Sequence, residues 1–150
     1  MPDYFRQTKK GVLEMTRAVL DNKFESLRKC IERMESKRPL TQTELETNVD
    51  LQDIISINLE RAVQICVDIA AHIISDSNQN VPATMVESFS TLEKLGILSA
   101  EVVFRMEKAV GFRNIALHEY EKMNWSIVYQ IVTRHLNDFR EFAKQIDLKF

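Results

Sequence analysis

Glycine and proline are scarce in this sequence, with three residues of each among 150. These residues supply most of the backbone conformations that tight turns require, so the chain has little material for the many turns of a sheet protein. No strict alternation of apolar and polar residues persists along the chain either. The sequence therefore predicts an all-α fold, at a length that fits one domain.

Long apolar runs, paired cysteines and a large net charge are also absent, and each absence argues against a class of protein. No segment reaches the roughly 18 apolar residues of a membrane span, and the N-terminus has no apolar signal-peptide core. Cys30 and Cys66 form neither a CxxC pair nor a metal-binding pattern, which favours buried thiols. The formal net charge is only −2, so no global field would collect nucleic acid. We expect a cytoplasmic protein that has no membrane role and binds nucleic acid, if at all, only through a local patch of its surface.

Apolar residues spaced by three and four predict an up-and-down bundle of four to five helices. Polar residues 41–47 predict a linker, and SDSNQN at 75–80 predicts a loop. Residues 1–20 predict an N-terminal extension, helical or not, ahead of a bundle domain of residues 21–150. The first three predicted helices cover about 21–36, 49–75 and 83–95. Pro82 marks the first turn of the third helix, and Gly96 follows its end. A fourth helix is capped by Ser99, and the last helix runs from 124–125 to 146.

The segment GFRNIALHEY at 111–120 stands out from these amphipathic stretches. On a continuous helix, Arg113 and Tyr120 project to nearly the same side, and Asn114 stacks one turn below His118. The four polar side chains would thus share one arc. Gly111 inside a helix costs about 1 kcal/mol relative to alanine, which predicts close approach of another backbone, a kink, or a break before Phe112.

Two of these residue types suit metal-free RNA cleavage. Arginine offers a permanently charged fork for phosphate, and histidine titrates near neutrality. Cleavage needs a base for the 2′-hydroxyl, an acid for the leaving 5′-oxygen and a cation for the phosphorane. One histidine is too few for both proton transfers, but a two-fold dimer would supply Arg113 and His118 twice in one cleft. By spacing alone, surface residues that happen to be neighbours are the simpler alternative.

The longer string resembles the signature of HEPN domains, and most closely that of HepT-like proteins, whose motif is R-N-x-x-x-H-x-Y. Arg113, Asn114, His118 and Tyr120 occupy its four positions. DIISINLERAVQICVDIAAHIIS at 53–75 and LGILSAEVVFRMEKAVGFRN at 95–114 are also similar to that family. The resemblance covers residues 21–146 and implies an all-helical bundle that dimerises through its motif helices.

The HepT resemblance implies the toxin of a prokaryotic, type VII-like toxin–antitoxin pair. Such a toxin is a metal-independent RNA endonuclease, with a composite active site at the dimer interface. Arg113 would stabilise charge on the scissile phosphate, and His118 would transfer protons. Asn114 would orient His118 or the phosphate by hydrogen bonding. A cognate nucleotidyltransferase of the MNT type would neutralise the toxin by transferring AMP to Tyr120.

Residues outside the motif are further candidates. Arg61, Lys108 and Lys122 are candidate RNA contacts, although Arg61 on a helix more often faces solvent. His72 and His135 fit structural positions, with His135 in the apolar stripe of the last helix. No histidine follows a glutamate by three residues, so we expect no metal and no cofactor. The alternative function is a non-catalytic helical partner, or substrate-presenting subunit, of a nucleotidyltransferase.

Overall fold

The structure, a computed structural model, describes the backbone of residues 2–77 and 82–150, and within these ranges the side chains from residue 17 onward. Every regular element in this part of the chain is helical, which confirms the predicted fold class. The helices are α1 (Pro2–Ser36), α2 (Gln42–Thr47), α3 (Val49–Asp76), α4 (Met85–Lys94), α5 (Ala100–His118), α6 (Trp125–Gln130) and α7 (Asn137–Asp147). A 3₁₀ turn (Tyr120–Lys122) follows α5, and a π turn (Ile131–His135) joins α6 to α7. None of the described helices is long and apolar enough to cross a membrane.

Helix α3 forms the centre of the bundle and packs against α1, α4, α5 and α7. Its predicted core stripe is buried, with no member more than 2% exposed: Ile55, Leu59, Ala62, Cys66, Ile69 and Ile73. Because burying a leucine or isoleucine side chain is worth about 1.5–3 kcal/mol, this stripe fixes the rotation of α3. The polar residues on its other side therefore have fixed directions as well.

The two cysteines belong to this core, as predicted. Cys30 on α1 and Cys66 on α3 are buried free thiols. Burial raises the pKa of both thiols, so they stay protonated at neutral pH and act as small apolar side chains.

Local capping contacts place the start of α5. Gly96 has a φ of +74°, and the N–H groups of Gly96 and Ile97 donate to the carbonyls of Glu93 and Leu92, each at 2.9 Å, which closes α4. The Ser99 hydroxyl then caps α5 by accepting from Val102 N at 3.3 Å. Both predicted end signals are confirmed.

Several predicted boundaries were wrong. Residues 41–47 contain α2, because Thr41 caps this short helix by accepting from Glu44 N at 3.1 Å. Helix α4 begins at Met85 after the cap Thr84, so Pro82 precedes it rather than occupying its first turn. The helix predicted over 49–75 ends one residue later, at Asp76, and residues 78–80 of the predicted 75–80 loop lie outside the described residues. The predicted last helix is divided into α6, the π turn and α7.

Helix α1 crosses the predicted boundary between residues 20 and 21 without a break. Leu20 and Leu27 lie on either side of it and are both in the core, at 0% and 1% exposed. The division of the chain at this point stays a prediction.

Candidate functional site

Arg113 lies in the last two turns of α5 and turns toward α3. Its Nη2 donates to Gln64 Oε1 at 2.6 Å, and its Nη1 lies 3.5 Å from the sulfur of Met85. The Nε is buried and has no hydrogen-bond partner among the described residues. An unsatisfied buried donor is costly, by about 1–3 kcal/mol, and an anionic oxygen is the ligand that would satisfy it.

The residue that holds Arg113 is itself held. Gln64 Nε2 donates to Asp68 Oδ1 at 2.8 Å, and Asp68 forms an ion pair with Lys23 at 3.5 Å. Gln64 therefore presents its oxygen to Arg113, since its amide nitrogen is engaged elsewhere. This chain of contacts links α5, α3 and α1, and it limits the positions that the guanidinium of Arg113 can take.

Asn114 and His118 lie one turn apart on α5, and both side chains are exposed. At about 100° per residue, His118 projects roughly 140° away from Arg113. A single chain therefore does not present Arg113 and His118 on one side of the helix. That geometry differs from the single polar arc expected from the sequence.

The expected continuation of α5 through Tyr120 was wrong. The helix ends at His118, where Glu119 N donates to Ile115 O at 2.9 Å and the backbone of Glu119 leaves helical geometry at φ −141° and ψ 47°. The 3₁₀ turn Tyr120–Lys122 follows, and its first side chain, Tyr120, reaches Asp53 on α3. Met123 is 8% exposed and anchors this turn in the core.

Tyr120 is held against α3 by its hydroxyl and its ring. The hydroxyl donates to Asp53 Oδ1 at 3.1 Å. The ring meets Trp125 edge to face, with centroids 5.8 Å apart. Burial raises the pKa of the Tyr120 phenol, the hydrogen bond to Asp53 raises it further, and the Ser56 hydroxyl opposes the rise.

The contacts of Arg113 and Tyr120 define a polar stripe on α3, formed by Asp53, Glu60, Gln64 and Asp68. Their spacing of seven, four and four residues places them on one side of the helix. Burial raises the pKa of Glu60, while the charges of Arg113 and Arg61 oppose that rise. We did not predict this stripe, although polar residues at helical spacing beside the core stripe were the signal that could have revealed it.

Gly111 does not mark a helix break or a close backbone contact within the described chain. It lies inside an unbroken α5, it is exposed, and a Cβ added to it would meet no atom within 4 Å. The predicted break is therefore wrong, and no other segment within the described residues approaches this position.

The candidate RNA contacts are spread over different surfaces. Arg61 is exposed on α3. The Lys108 ammonium lies 4.6 Å from the centroid of the Phe104 ring, and Lys122 pairs with Glu119 at 3.6 Å.

The two other histidines lie beside carboxylates. His72 is 3.6 Å from Asp76, and His135 is 3.7 Å from Asp138. His135 is exposed in the π turn, so its predicted place in an apolar stripe was wrong. In the described ranges, no three side chains of histidine, cysteine, aspartate or glutamate are grouped to hold a metal ion.

This motif, on a bundle of this kind, matches a known family. The family described as Ribonuclease HepT-like matches residues 27–146. The chain belongs to the HepT-like family. That assignment confirms the predicted family and agrees with the all-helical fold.

Two relatives and one solved structure illustrate the similarity. The mRNA nuclease HepT of Shewanella oneidensis is 32% identical over 128 residues, covering 85% of this chain and 96% of that protein. The tRNA nuclease HepT of Aphanizomenon flos-aquae is 22% identical over 129 residues, covering 86% and 88%. A solved structure of the tri-AMPylated S. oneidensis HEPN toxin in complex with MNT antitoxin has a TM-score of 0.81 at 31% identity, covering 87% of this chain and 97% of that one.

Proposed function

We propose that this HepT-like chain is the toxin of a prokaryotic, type VII-like toxin–antitoxin pair and acts as a metal-independent RNA endonuclease in the cytoplasm. The observation that carries this proposal is Arg113, whose guanidinium is fixed by Gln64 and keeps one buried nitrogen, Nε, without a hydrogen-bond partner among the described residues, in the last two turns of the helix that also bears His118. The names of the two nuclease relatives support the same activity.

The reaction is cleavage of the RNA backbone by its own 2′-hydroxyl. One His118 removes the 2′-proton, and the 2′-oxygen attacks phosphorus. The bond from phosphorus to the 5′-oxygen breaks, and a second His118 protonates that oxygen. Arg113 stabilises the negative charge that develops on the phosphorane, and Asn114 orients His118 or the phosphate. The products are a 2′,3′-cyclic phosphate and a 5′-hydroxyl.

Two copies of the chain form the active site in this proposal. The support is an exposed stripe along α5, formed by Phe104, Lys108, Gly111 and Ile115 and flanked by His118. Phe104 is 57% exposed and borders a groove of about 590 Å³ whose floor is largely apolar. Pairing α5 with its symmetry mate would cover this surface and bring both His118 side chains together.

The toxin is neutralised by a cognate nucleotidyltransferase antitoxin of the MNT type, which transfers AMP to Tyr120. Tyr120 is 39% exposed, so its ring edge is accessible at the surface. The AMP group adds bulk and negative charge on the polar stripe of α3 that also holds the phosphate-binding Arg113, which would exclude RNA. A tri-AMPylated relative in complex with MNT antitoxin supports this control.

Expression in cells separates this proposal from the alternative of a non-catalytic partner of the nucleotidyltransferase. We expect growth arrest from the wild type, no arrest from Arg113→Ala or His118→Ala, and arrest from the control His135→Ala. Co-expression with the nucleotidyltransferase should relieve the arrest and add a multiple of AMP to the mass of the toxin, on Tyr120. Equal growth of the wild type and both motif variants would favour the non-catalytic role.

A further inference from the structure

The contact between Tyr120 and Asp53 has a consequence for the chemistry of AMP transfer. The phenol oxygen is the atom that would attack, and its proton already points to a carboxylate oxygen 3.1 Å away. The edge-to-face contact with Trp125 holds the ring in that position. Asp53 lies on α3, whose rotation the buried core stripe fixes, so the acceptor is as well placed as the donor.

A protonated phenol is a weak nucleophile, and the surroundings of Tyr120 make its ionisation harder. Burial raises the pKa of the phenol above its usual value of 10, the hydrogen bond to Asp53 and the nearby charges of Asp53 and Glu60 raise it further, and the Ser56 hydroxyl opposes this rise. Trp125, the residue of α6 that meets the ring, is uncharged. At neutral pH almost no Tyr120 is ionised, so its proton must be lost during the attack itself.

We propose that Asp53 is the proton acceptor for adenylylation of Tyr120. This inference rests on the proposed function, since it requires a nucleoside triphosphate and the cognate nucleotidyltransferase. The Tyr120 oxygen attacks the α-phosphorus of the triphosphate as its proton passes to the Asp53 carboxylate. The bond from the α-phosphorus to the bridging oxygen breaks, and pyrophosphate leaves with the electron pair. Asp53 then returns its proton to solvent.

AMP transfer removes the contact between Tyr120 and Asp53. Once Tyr120 carries AMP, its oxygen has no proton to donate, so the hydrogen bond to Asp53 is lost. The new phosphodiester is an anion close to the carboxylates of Asp53 and Glu60, and like charges repel at that distance. The modification therefore breaks the contact that holds Tyr120 against α3.

Asp53→Asn tests the proposal because asparagine is isosteric and can still accept the hydrogen bond from Tyr120, but it cannot take up a proton. The matched control is Asp50→Asn, which removes one negative charge from the first turn of the same helix. Each full-length variant is mixed with the cognate nucleotidyltransferase, Mg²⁺ and ATP, and the initial rate is measured by intact-protein mass spectrometry between pH 7 and 9. Circular dichroism checks the fold, and binding to the nucleotidyltransferase is measured separately.

We expect Asp53→Asn to slow transfer by about 100-fold or more at pH 7, with unchanged binding, and Asp50→Asn to match the wild type. The rate of Asp53→Asn should rise about tenfold per pH unit, since it now depends on free tyrosinate, whereas the wild-type rate should stay flat. RNA cleavage by unmodified Asp53→Asn should equal that of the wild type. Equal transfer rates for Asp53→Asn and the wild type would overturn the role of Asp53 alone. Absence of AMP from wild-type Tyr120 would overturn the proposed control of the toxin as well.

Discussion

The polar side chains near the end of α5 fall into two groups at the scale of single residues. Arg113 and Tyr120 are held by Gln64 and Asp53, which both belong to the polar stripe of α3. Asn114 and His118 are exposed. In the proposed function the held residues are a phosphate-binding cation and a nucleophile, and both act through a fixed geometry. The exposed residues are those that a second copy or a substrate can meet.

Gln64 should position Arg113 for cleavage. We expect Gln64→Ala to lower the cleavage rate by about 10- to 100-fold, since a hydrogen bond to a charged group is worth about 1.5–3 kcal/mol. RNA binding should weaken less than the rate falls. Gln145→Ala is the control, because Gln145 instead binds Ser99 at the other end of α5. A Gln64→Ala variant as active as the wild type would contradict this role.

The titration of Tyr120 should report its contact with Asp53. We expect its phenol to ionise above pH 10 in the wild type and at lower pH in Asp53→Asn, because that substitution removes the negative charge that favours the neutral phenol. The folded protein stabilises the neutral phenol of Tyr120. The resulting contribution of Tyr120 to folding stability is present below the unfolded pKa of about 10 and is lost as pH rises through the folded pKa. Nuclear magnetic resonance of labelled tyrosine measures both values, and coincident midpoints would be the contrary result.

At the scale of elements, the sequence predicted what repeated local signals determine. The core stripe of α3, the cap Ser99 and the positive φ of Gly96 each follow from residue type and spacing. The end of α5 does not, because its stop at His118 depends on Met123 entering the core and on Tyr120 reaching Asp53 on another helix. These are tertiary contacts, and a periodic pattern carries no information about them.

The motif residues could likewise be found, but not their partners. Arg113 and Tyr120 were identified by resemblance, whereas Gln64 and Asp53 lie 49 and 67 positions away from them. Only the packing of α5 on α3 brings these pairs together. The same limit explains α2, whose six residues give too short a window for a periodic pattern.

Two glycines should respond in opposite ways to alanine. We expect Gly111→Ala to stabilise the monomer by about 0.5–1 kcal/mol, because Gly111 is helical and open space surrounds it. Gly96→Ala should destabilise by about 1 kcal/mol, because its φ of +74° is unfavourable for alanine. Denaturant unfolding at low protein concentration measures both. Changes of the same sign would contradict this account of the two glycines.

At the scale of the whole molecule, the exposed stripe of α5 connects the fold to the proposed dimer. We expect Phe104→Glu to weaken self-association by at least about tenfold, because it would bury an unpaired charge in an apolar interface. Leu148→Glu is the control, since Leu148 is 74% exposed and lies after α7. Analytical ultracentrifugation measures the dimer dissociation constant of each variant, and equal constants would place the interface elsewhere.

The central claim is that Arg113 and His118 of two copies cleave RNA without a metal. The most direct measurement incubates the purified wild type, Arg113→Ala, His118→Ala and the control His135→Ala with RNA in EDTA, beside the same RNA with every 2′-hydroxyl methylated. We predict fragments with 2′,3′-cyclic phosphate ends from the wild type and His135→Ala, at least about 100-fold less from either motif variant, and none from methylated RNA. Equal fragments from the wild type and His118→Ala, or no cleavage by the wild type until a divalent metal is added, would contradict the claim.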